Sequence, residues 1–447
     1  MNSAPEISTE ACDTIYSTAT GIGRAAVAII RVSGPSCQLI LRTMCPGACL
    51  LDRRATFVRI LDHSSELIDL GVVIMFYAPR SFTGEDVVEF QVTGSRAVVA
   101  MMLNTLSRFP ATRHAYAGEF SRRSFANGKR DLAEIEGLAS VVEAETITQL
   151  RHAQRSASGQ LSRECEVIRE TLVRCMALLE GFLDFSDVED SEATSLRDVV
   201  ALVEDIRERT KALLLNSDHP ERLRDGLVVV IAGPPNAGKS SLINHLTKRE
   251  VSIVSVVPGT TRDLIEAHLD IAGFPIIFVD TAGIREARDP VEAEGIARAR
   301  KKRDSADLTL WLTSCEDGED FDETQIGEML RIRTKCDLAP QARFLDDCIR
   351  VSTVTGAGID VLVARIAAFA RSRLGGLVDS LVSTQRQRAA ILEADGALER
   401  FLYNQTAPVE LLAEDLRIAA RCMSRVVGRI DVEEVLNNVF SRLCVGK

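Results

Sequence analysis

The chain has 447 residues, enough for two to four domains that each bury a core of their own. Its formal net charge of -11 at pH 7 argues against a protein that coats nucleic acid along its whole surface, so a nucleic-acid partner needs local basic patches. No apolar run approaches the roughly 18 residues that span a bilayer, and the acidic opening MNSAPEISTEACDT matches neither a secretory signal nor an Arg-rich transit peptide; the expectation is a soluble, cytoplasmic protein with no membrane partner.

In chain order, residues 14–110 mix strand-like runs, AVAIIRVS and LIDLGVVIMFYA, with the turn signals SGPS and SFTGED and a helical run, AVVAMMLNTLSRF. This predicts an α+β domain over residues 1–128. From about residue 130 apolar side chains recur at helical spacing, Leu132, Ile135, Leu138 and Val142, then Val167, Leu172, Met176, Leu179 and Leu183. A helical domain is therefore expected over 129–225, interrupted by the acidic patch DFSDVEDSE. Residues 226–374 alternate strand-like and helical segments, as a parallel sheet with crossover helices requires. After SRLGG the chain turns helical again, over 375–447. The economical architecture is multidomain α/β, with a nucleotide-binding domain inserted into an all-α helical domain. Eleven cysteines at irregular spacing read as reduced, mostly buried thiols, since the closest pair, Cys45 and Cys49, has no histidine nearby to complete a zinc set.

The sharpest signal is GPPNAGKSS. Gly233, Gly238, Lys239 and Ser240 satisfy G-x-x-x-x-G-K-[ST] between a buried strand and a helix. In such a loop the backbone of Asn236, Ala237, Gly238, Lys239, Ser240 and Ser241 closes around phosphates, Lys239 reaches the outer ones, and the Ser240 hydroxyl can ligate Mg2+. Three further elements follow in the order a GTPase needs. GTTRD supplies Thr261 to sense the terminal phosphate through Mg2+. DTAG supplies Asp280, Thr281, Ala282 and Gly283, of which Asp280 holds the metal through water and the Gly283 N–H faces the terminal phosphate. TKCD offers Thr334, Lys335 and Asp337 to guanine, and STVTG places Ser352, Thr353 and Val354 over the base. Thr334 stands where asparagine is commonest, and a hydroxyl has fewer donor and acceptor positions than an amide.

With these motifs, and with SFTGEDVVEF, GEFSRRSFANGKRDLAEIEGLA, PGTTRDLIE, DTAGIRE, ELLAEDLR and the terminal LCVGK, the chain resembles the MnmE (TrmE) family of bacterial tRNA-modification GTPases over nearly its whole length. The resemblance implies a Ras-like P-loop G domain and an N-terminal domain that dimerises and binds a 5-formyl- or 5,10-methylenetetrahydrofolate. It also implies a heterotetramer with the flavoprotein MnmG (GidA), which installs a carboxymethylaminomethyl or aminomethyl group on the wobble uridine of certain tRNAs.

Residue by residue, the family's folate contacts fall on Arg31, Glu89, Lys129 and Lys447. Its potassium ligands fall on the Asn236 side chain and the Ser255, Val257 and Thr260 carbonyls, within a GTP-contacting stretch that also includes Val256, Pro258, Gly259 and Thr261. The ion stands where an arginine finger would. Ile284 replaces the catalytic glutamine of many relatives, and Glu292 is the family's water-orienting glutamate. Cys444, in the family's terminal Cys-[IV]-Gly-Lys pattern, joins Lys239 and Glu292 as a catalytic candidate, because a thiol near a folate invites covalent or redox chemistry. The basic stretches FSRRSF, GKR and RARKKRD are candidates to meet tRNA phosphates. The alternative is a ribosome-assembly GTPase of the Era or Der type, for which a GXXG loop or a second P-loop is expected and neither is found.

Overall fold

A computed structural model describes residues 13–21, 23–184, 192–215, 217–248, 266–280, 306–315, 328–339, 348–429 and residue 446. The chain divides into two compact units, Met1–Ala139 with Ser424–Lys447, and Ser140–Met423.

The first unit is built on β1 (Thr14–Thr18), β2 (Ala25–Ser33), β3 (Thr56–Leu61), β4 (Leu67–Phe76), β5 (Val87–Gly94) and β6 (Thr112–His114), with helices α1 (Cys37–Met44), α2 (Arg96–Leu106) and α3 (Glu119–Ala126). The sheet order is β3-β4-β5-β2-β1-β6, antiparallel except for the β1–β6 pair. Strand side chains alternate between faces, so Ile30 and Val32 join the core with Cys37, Ile40 and Met44 of α1 and Met102 and Leu106 of α2. Arg31 falls on the other face, directly opposite Glu89 of β5 in register.

Elements of the second unit include α5 (Ile147–Ala157), α6 (Gln160–Asp184), α7 (Glu192–Leu214) and α8 (Arg222–Asp225), as well as the helices Ile359–Asp379 and Gln385–Tyr403. Helix α4 (Leu132–Glu143) and the helix Val409–Val427 straddle the division. Helix α5 starts in a capping box, in which the Thr146 side chain accepts from Gln149 N and the Gln149 side chain accepts from Thr146 N. The acidic patch lies mostly outside the described residues. Where the sequence suggested a break at SRLGG, the helix Ile359–Asp379 runs unbroken through Gly375 and Gly376. Leu374 and Leu377 are buried on its face, and that burial offsets the roughly 1 kcal/mol each glycine costs inside a helix.

A second sheet orders its strands β12-β11-β10-β7-β9-β8: β7 (Leu227–Ala232), β8 (Glu266–Ile271), β9 (Phe274–Asp280), β10 (Leu308–Ser314), β11 (Met329–Thr334) and β12 (Ile349–Arg350). Every neighbouring pair is parallel except the β8–β9 hairpin. LVVVIA of β7 is apolar without alternation because a central strand of a parallel sheet is covered on both faces. Its Leu227, Val229 and Ile231 share one core with Leu242 and Leu246 of α9 (Lys239–Lys248) and with Ile366 and Leu374 of the helix Ile359–Asp379. The molecule thus has the expected fold class, an N-terminal α+β part, a helical part and a parallel-rich sheet flanked by helices.

Candidate functional sites

From central β7 the chain moves first to one side of the sheet, through α9 to β8 and β9, and then to the other, to β10, β11 and β12. That reversal opens a crevice at the carboxyl ends of the strands, where ligands of such sheets bind. Four sequence-predicted segments meet this edge. The phosphate loop leaves β7 at Ala232, Asp280 ends β9 beside Ile231 in register, TKCD leaves β11 at Thr334, and the Ser352–Val354 loop follows β12.

The phosphate loop holds its shape through three left-handed positions, Gly233 (φ 137), Asn236 (φ 62) and Gly238 (φ 87). At Gly233 a Cβ would stand 2.1 Å from the Leu312 carbonyl oxygen of β10, so only glycine permits the loop to lie this close to its neighbouring strand. Asparagine is among the few side chains that tolerate a left-handed backbone, which makes Asn236 locally intelligible, and it stands exposed on the rim with Ser240. The Lys239 side chain is only 9% exposed, and its Nζ donates to Gly233 O at 2.9 Å and Pro234 O at 2.8 Å. The ammonium is thereby held within the loop.

Thr334 faces the phosphate loop. It is buried, and its Oγ1 lies 2.7 Å from Ala237 O and 3.3 Å from Thr313 O. A hydroxyl has one hydrogen to donate, and the shorter distance assigns it to Ala237. The hydroxyl therefore braces TKCD against the phosphate loop. Lys335 takes a left-handed backbone (φ 56) and Asp337 follows half-buried. The neighbouring loop is shaped by Ser352, whose Oγ accepts from Val354 N at 3.3 Å and Thr355 N at 3.1 Å. Backbone bonds from Val351 N to Arg333 O (2.8 Å) and Cys336 N to Val351 O (3.3 Å) hold the two loops side by side.

Ser255, Val256, Val257, Pro258, Gly259, Thr260, Thr261, Thr281, Ala282, Gly283, Ile284, Glu292, Cys444 and Lys447 lie outside the described residues, as do the Asp280 side chain and the stretch RARKKRD.

In the first unit, Arg31 Nε and Nη2 both reach Glu89 Oε1, at 2.9 and 2.8 Å, and Arg31 Nη1 donates to the Gly446 carbonyl at 3.3 Å. The guanidinium also stands 5.4 Å from the Phe82 ring centre and 5.7 Å from that of Phe120, within cation–π range. Gly446 is buried against the end of β1, where a Cβ would meet Thr18 O at 2.4 Å. Lys129 is exposed, with its stem beside Gly84. Arg31, Glu89 and the chain's penultimate residue, 415 positions away from Arg31, are thus brought together.

Beside them lies a cluster that no sequence pattern announced. Arg123 of α3, 9% exposed, donates from Nη2 to Asp13 Oδ1 at 2.7 Å and Glu119 Oε1 at 3.2 Å and from Nη1 to Glu85 Oε1 at 3.1 Å. Arg113 forks onto both Glu119 oxygens at 2.8 and 2.6 Å and reaches Asp13 Oδ2 at 2.5 Å. Burial pushes the Glu119 carboxyl up, but the Arg113 hydrogen bond, the Tyr116 N–H and the two arginine charges outweigh it and leave it below the usual carboxylate range. At Asp13 burial is likewise outweighed by Arg123 and then Arg113. Arg123 of FSRRSF therefore belongs to the interior, which corrects its reading as a tRNA-facing cation.

Comparison with known proteins gives two matching family descriptions, "MnmE helical domain" over residues 132–444 and "GTP-binding protein TrmE N-terminus" over residues 14–129. The tRNA modification GTPase MnmE of Beijerinckia indica subsp. indica is 44% identical over 436 residues, covering 97% of this chain and 96% of that one. The protein of the same name from Methylobacterium sp. strain 4-46 is 43% identical over 440 residues, covering 97% and 100%. Among solved structures, the G domain of the T. maritima FeoB iron transporter is 24% identical and covers 32% of this chain and 98% of that one, at a TM-score of 0.25.

Proposed function

The chain belongs to the MnmE family of tRNA modification GTPases, and from that premise we propose that it is a potassium-activated GTP hydrolase acting with the flavoprotein MnmG. Together they install the carboxymethylaminomethyl or aminomethyl group at C5 of the wobble uridine of certain tRNAs, using a folate one-carbon unit. The observation that carries the nucleotide half is the tie from Thr334 Oγ1 to Ala237 O, which joins a phosphate cradle and a base cradle at one edge of the sheet.

In this reading Lys239 neutralises the outer phosphates, while Ser240 and Thr261, with Asp280, hold Mg2+. Asn236 and the Ser255, Val257 and Thr260 carbonyls hold K+, whose charge offsets that developing on the transferred phosphoryl group. Asn236 fits that task because it stands exposed in the loop, where its left-handed backbone is one that asparagine tolerates. Glu292 orients water where Ile284 cannot, and Asp337 accepts from guanine.

On the folate side, Arg31 and Lys129, with Lys447, suit a glutamate tail, and Glu89 suits the N–H groups of a pterin. Both Arg31 bonds fall on Oε1 of Glu89. Cys444 stands two residues before Gly446, which contacts Arg31, and is the candidate for chemistry on the one-carbon unit. The working assembly is a cytoplasmic homodimer within a heterotetramer with MnmG.

Mass spectrometry of wobble nucleosides in a deletion strain tests the proposal. The modified uridine is expected to disappear, to return with the wild-type gene, and to stay absent with Arg31→Ala even though that variant keeps GTP turnover. Normal modification in the deletion strain would favour the ribosome-assembly reading, and full rescue by Arg31→Ala would remove Arg31 from the folate site.

A further inference from the structure

We propose that His245 is a positioning residue of the nucleotide site, which holds the Ser352–Val354 loop against the phosphate-loop helix through the Thr353 carbonyl. The inference rests on reading that loop as the base side of the GTP site. His245 lies half-buried on α9, the helix that Lys239 opens, about 9 Å further along its axis. Its Nδ1 is 3.0 Å from Thr353 O. A carbonyl only accepts, so Nδ1 carries the hydrogen and donates it.

The loop's other bonds are largely its own. Besides the Ser352 Oγ contacts, Ser352 N donates to Ala357 O and Gly356 N to Ser352 O, each at 2.9 Å. These fix the loop's shape, and its entry is tied to the phosphate loop only indirectly, through the Cys336–Val351 bond and Thr334. The exit is anchored at Gly358 (φ 75), where a Cβ would stand 1.8 Å from Arg350 O, but the tip residue Val354 is 83% exposed. On the entry side of the tip, the His245 bond to Thr353 O ties the loop directly to the helix that carries Lys239. A base held by this loop and phosphates held by Lys239 then have a defined separation.

The loss expected on removing the bond falls on binding and spares the chemical step, because the reacting phosphate sits at the other end of the helix. The experiment titrates the full chain with GDP and measures kcat and KM for GTP in His245→Ala, His245→Asn and His245→Gln. Alanine is expected to raise the GDP Kd and the GTP KM about tenfold, the size of one net hydrogen bond, with kcat within about twofold. Asparagine, whose amide nitrogen sits at the reach of Nδ1, is expected to recover most of the affinity. Glutamine, whose nitrogen lies one bond further out, is not. Unchanged GDP affinity in His245→Ala overturns the proposal, as do equal affinities for the asparagine and glutamine variants, a comparison that stands even if the alanine variant fails to fold. Wild-type protein that binds no GDP would instead overturn the site reading on which the proposal rests.

Discussion

Replacing Lys239 by alanine is expected to lower kcat/KM for GTP by about 10²- to 10³-fold, the scale on which one preorganised charge or donor acts in a desolvated site. The ammonium is already held over the loop by the Gly233 and Pro234 carbonyls, so little reorganisation is needed when phosphate charge arrives. Lys239→Arg is expected to lose nearly as much, because a planar guanidinium cannot reproduce a compact ammonium between two carbonyls of a tight loop. Steady-state hydrolysis measures the loss. Trp311, the chain's single tryptophan, pairs in register with Ala232 at the end of β7, so its emission reports whether the strand that carries the loop stays folded. A variant with an intact Trp311 signal and turnover within tenfold of wild type would show that the loop does not bind the reacting phosphates.

The second large effect is expected in the first unit. Arg123→Met keeps most of the volume of the side chain but removes the guanidinium that pairs with Glu85 and strips Asp13 and Glu119 of one of the two arginines they share. Breaking a buried ion cluster from one side costs about 3–5 kcal/mol. Amide exchange over β1 and β2, corrected for intrinsic rates, is expected to lose protection by on the order of 100-fold or more, while β7 and β10 are unaffected. The same cluster sets an acid limit. The carboxyls of Asp13 and Glu119 lie below their ordinary range when folded, so the unfolded chain takes up protons first as the pH falls. Their contribution is complete above the unfolded carboxylate range of about 4 and is lost as the pH drops through the depressed folded values. Arg123→Met should flatten that dependence. Unchanged protection at pH 7 would show that Arg113 alone satisfies the cluster.

The nucleotide edge was legible because its chemistry is local. Gly233, Lys239 and Ser240 sit in one loop, and the spacing that binds a phosphate is a spacing in sequence. The role of Thr334 was not, since a hydroxyl bonded to Ala237 O, 97 residues earlier, leaves no trace in a four-residue motif. Strand β1 went unread for a different reason: TIYST is buried from Thr14 to Ser17, so burial gives no alternation, and its polar side chains hide it from any hydropathy pattern. Helix α3 was hidden likewise, because Glu119, Ser121, Arg123 and Ser124 are buried polar residues. Glu119 and Arg123 are held by an ion cluster assembled across 110 residues, and charge pairing at that separation has no period to detect. Arg31 and Glu89 were found through family resemblance; what the fold adds is that β2 and β5 pair them in register and that Gly446 closes on the same guanidinium.

The most direct test of the account is steady-state hydrolysis of GTP and of ATP in matched KCl and NaCl buffers, with wild type and Asn236→Ala. Turnover that is selective for GTP, requires potassium and falls away with Asn236→Ala is the expected result. Turnover that is indifferent to the base, or that proceeds equally in sodium and without Asn236, would contradict it.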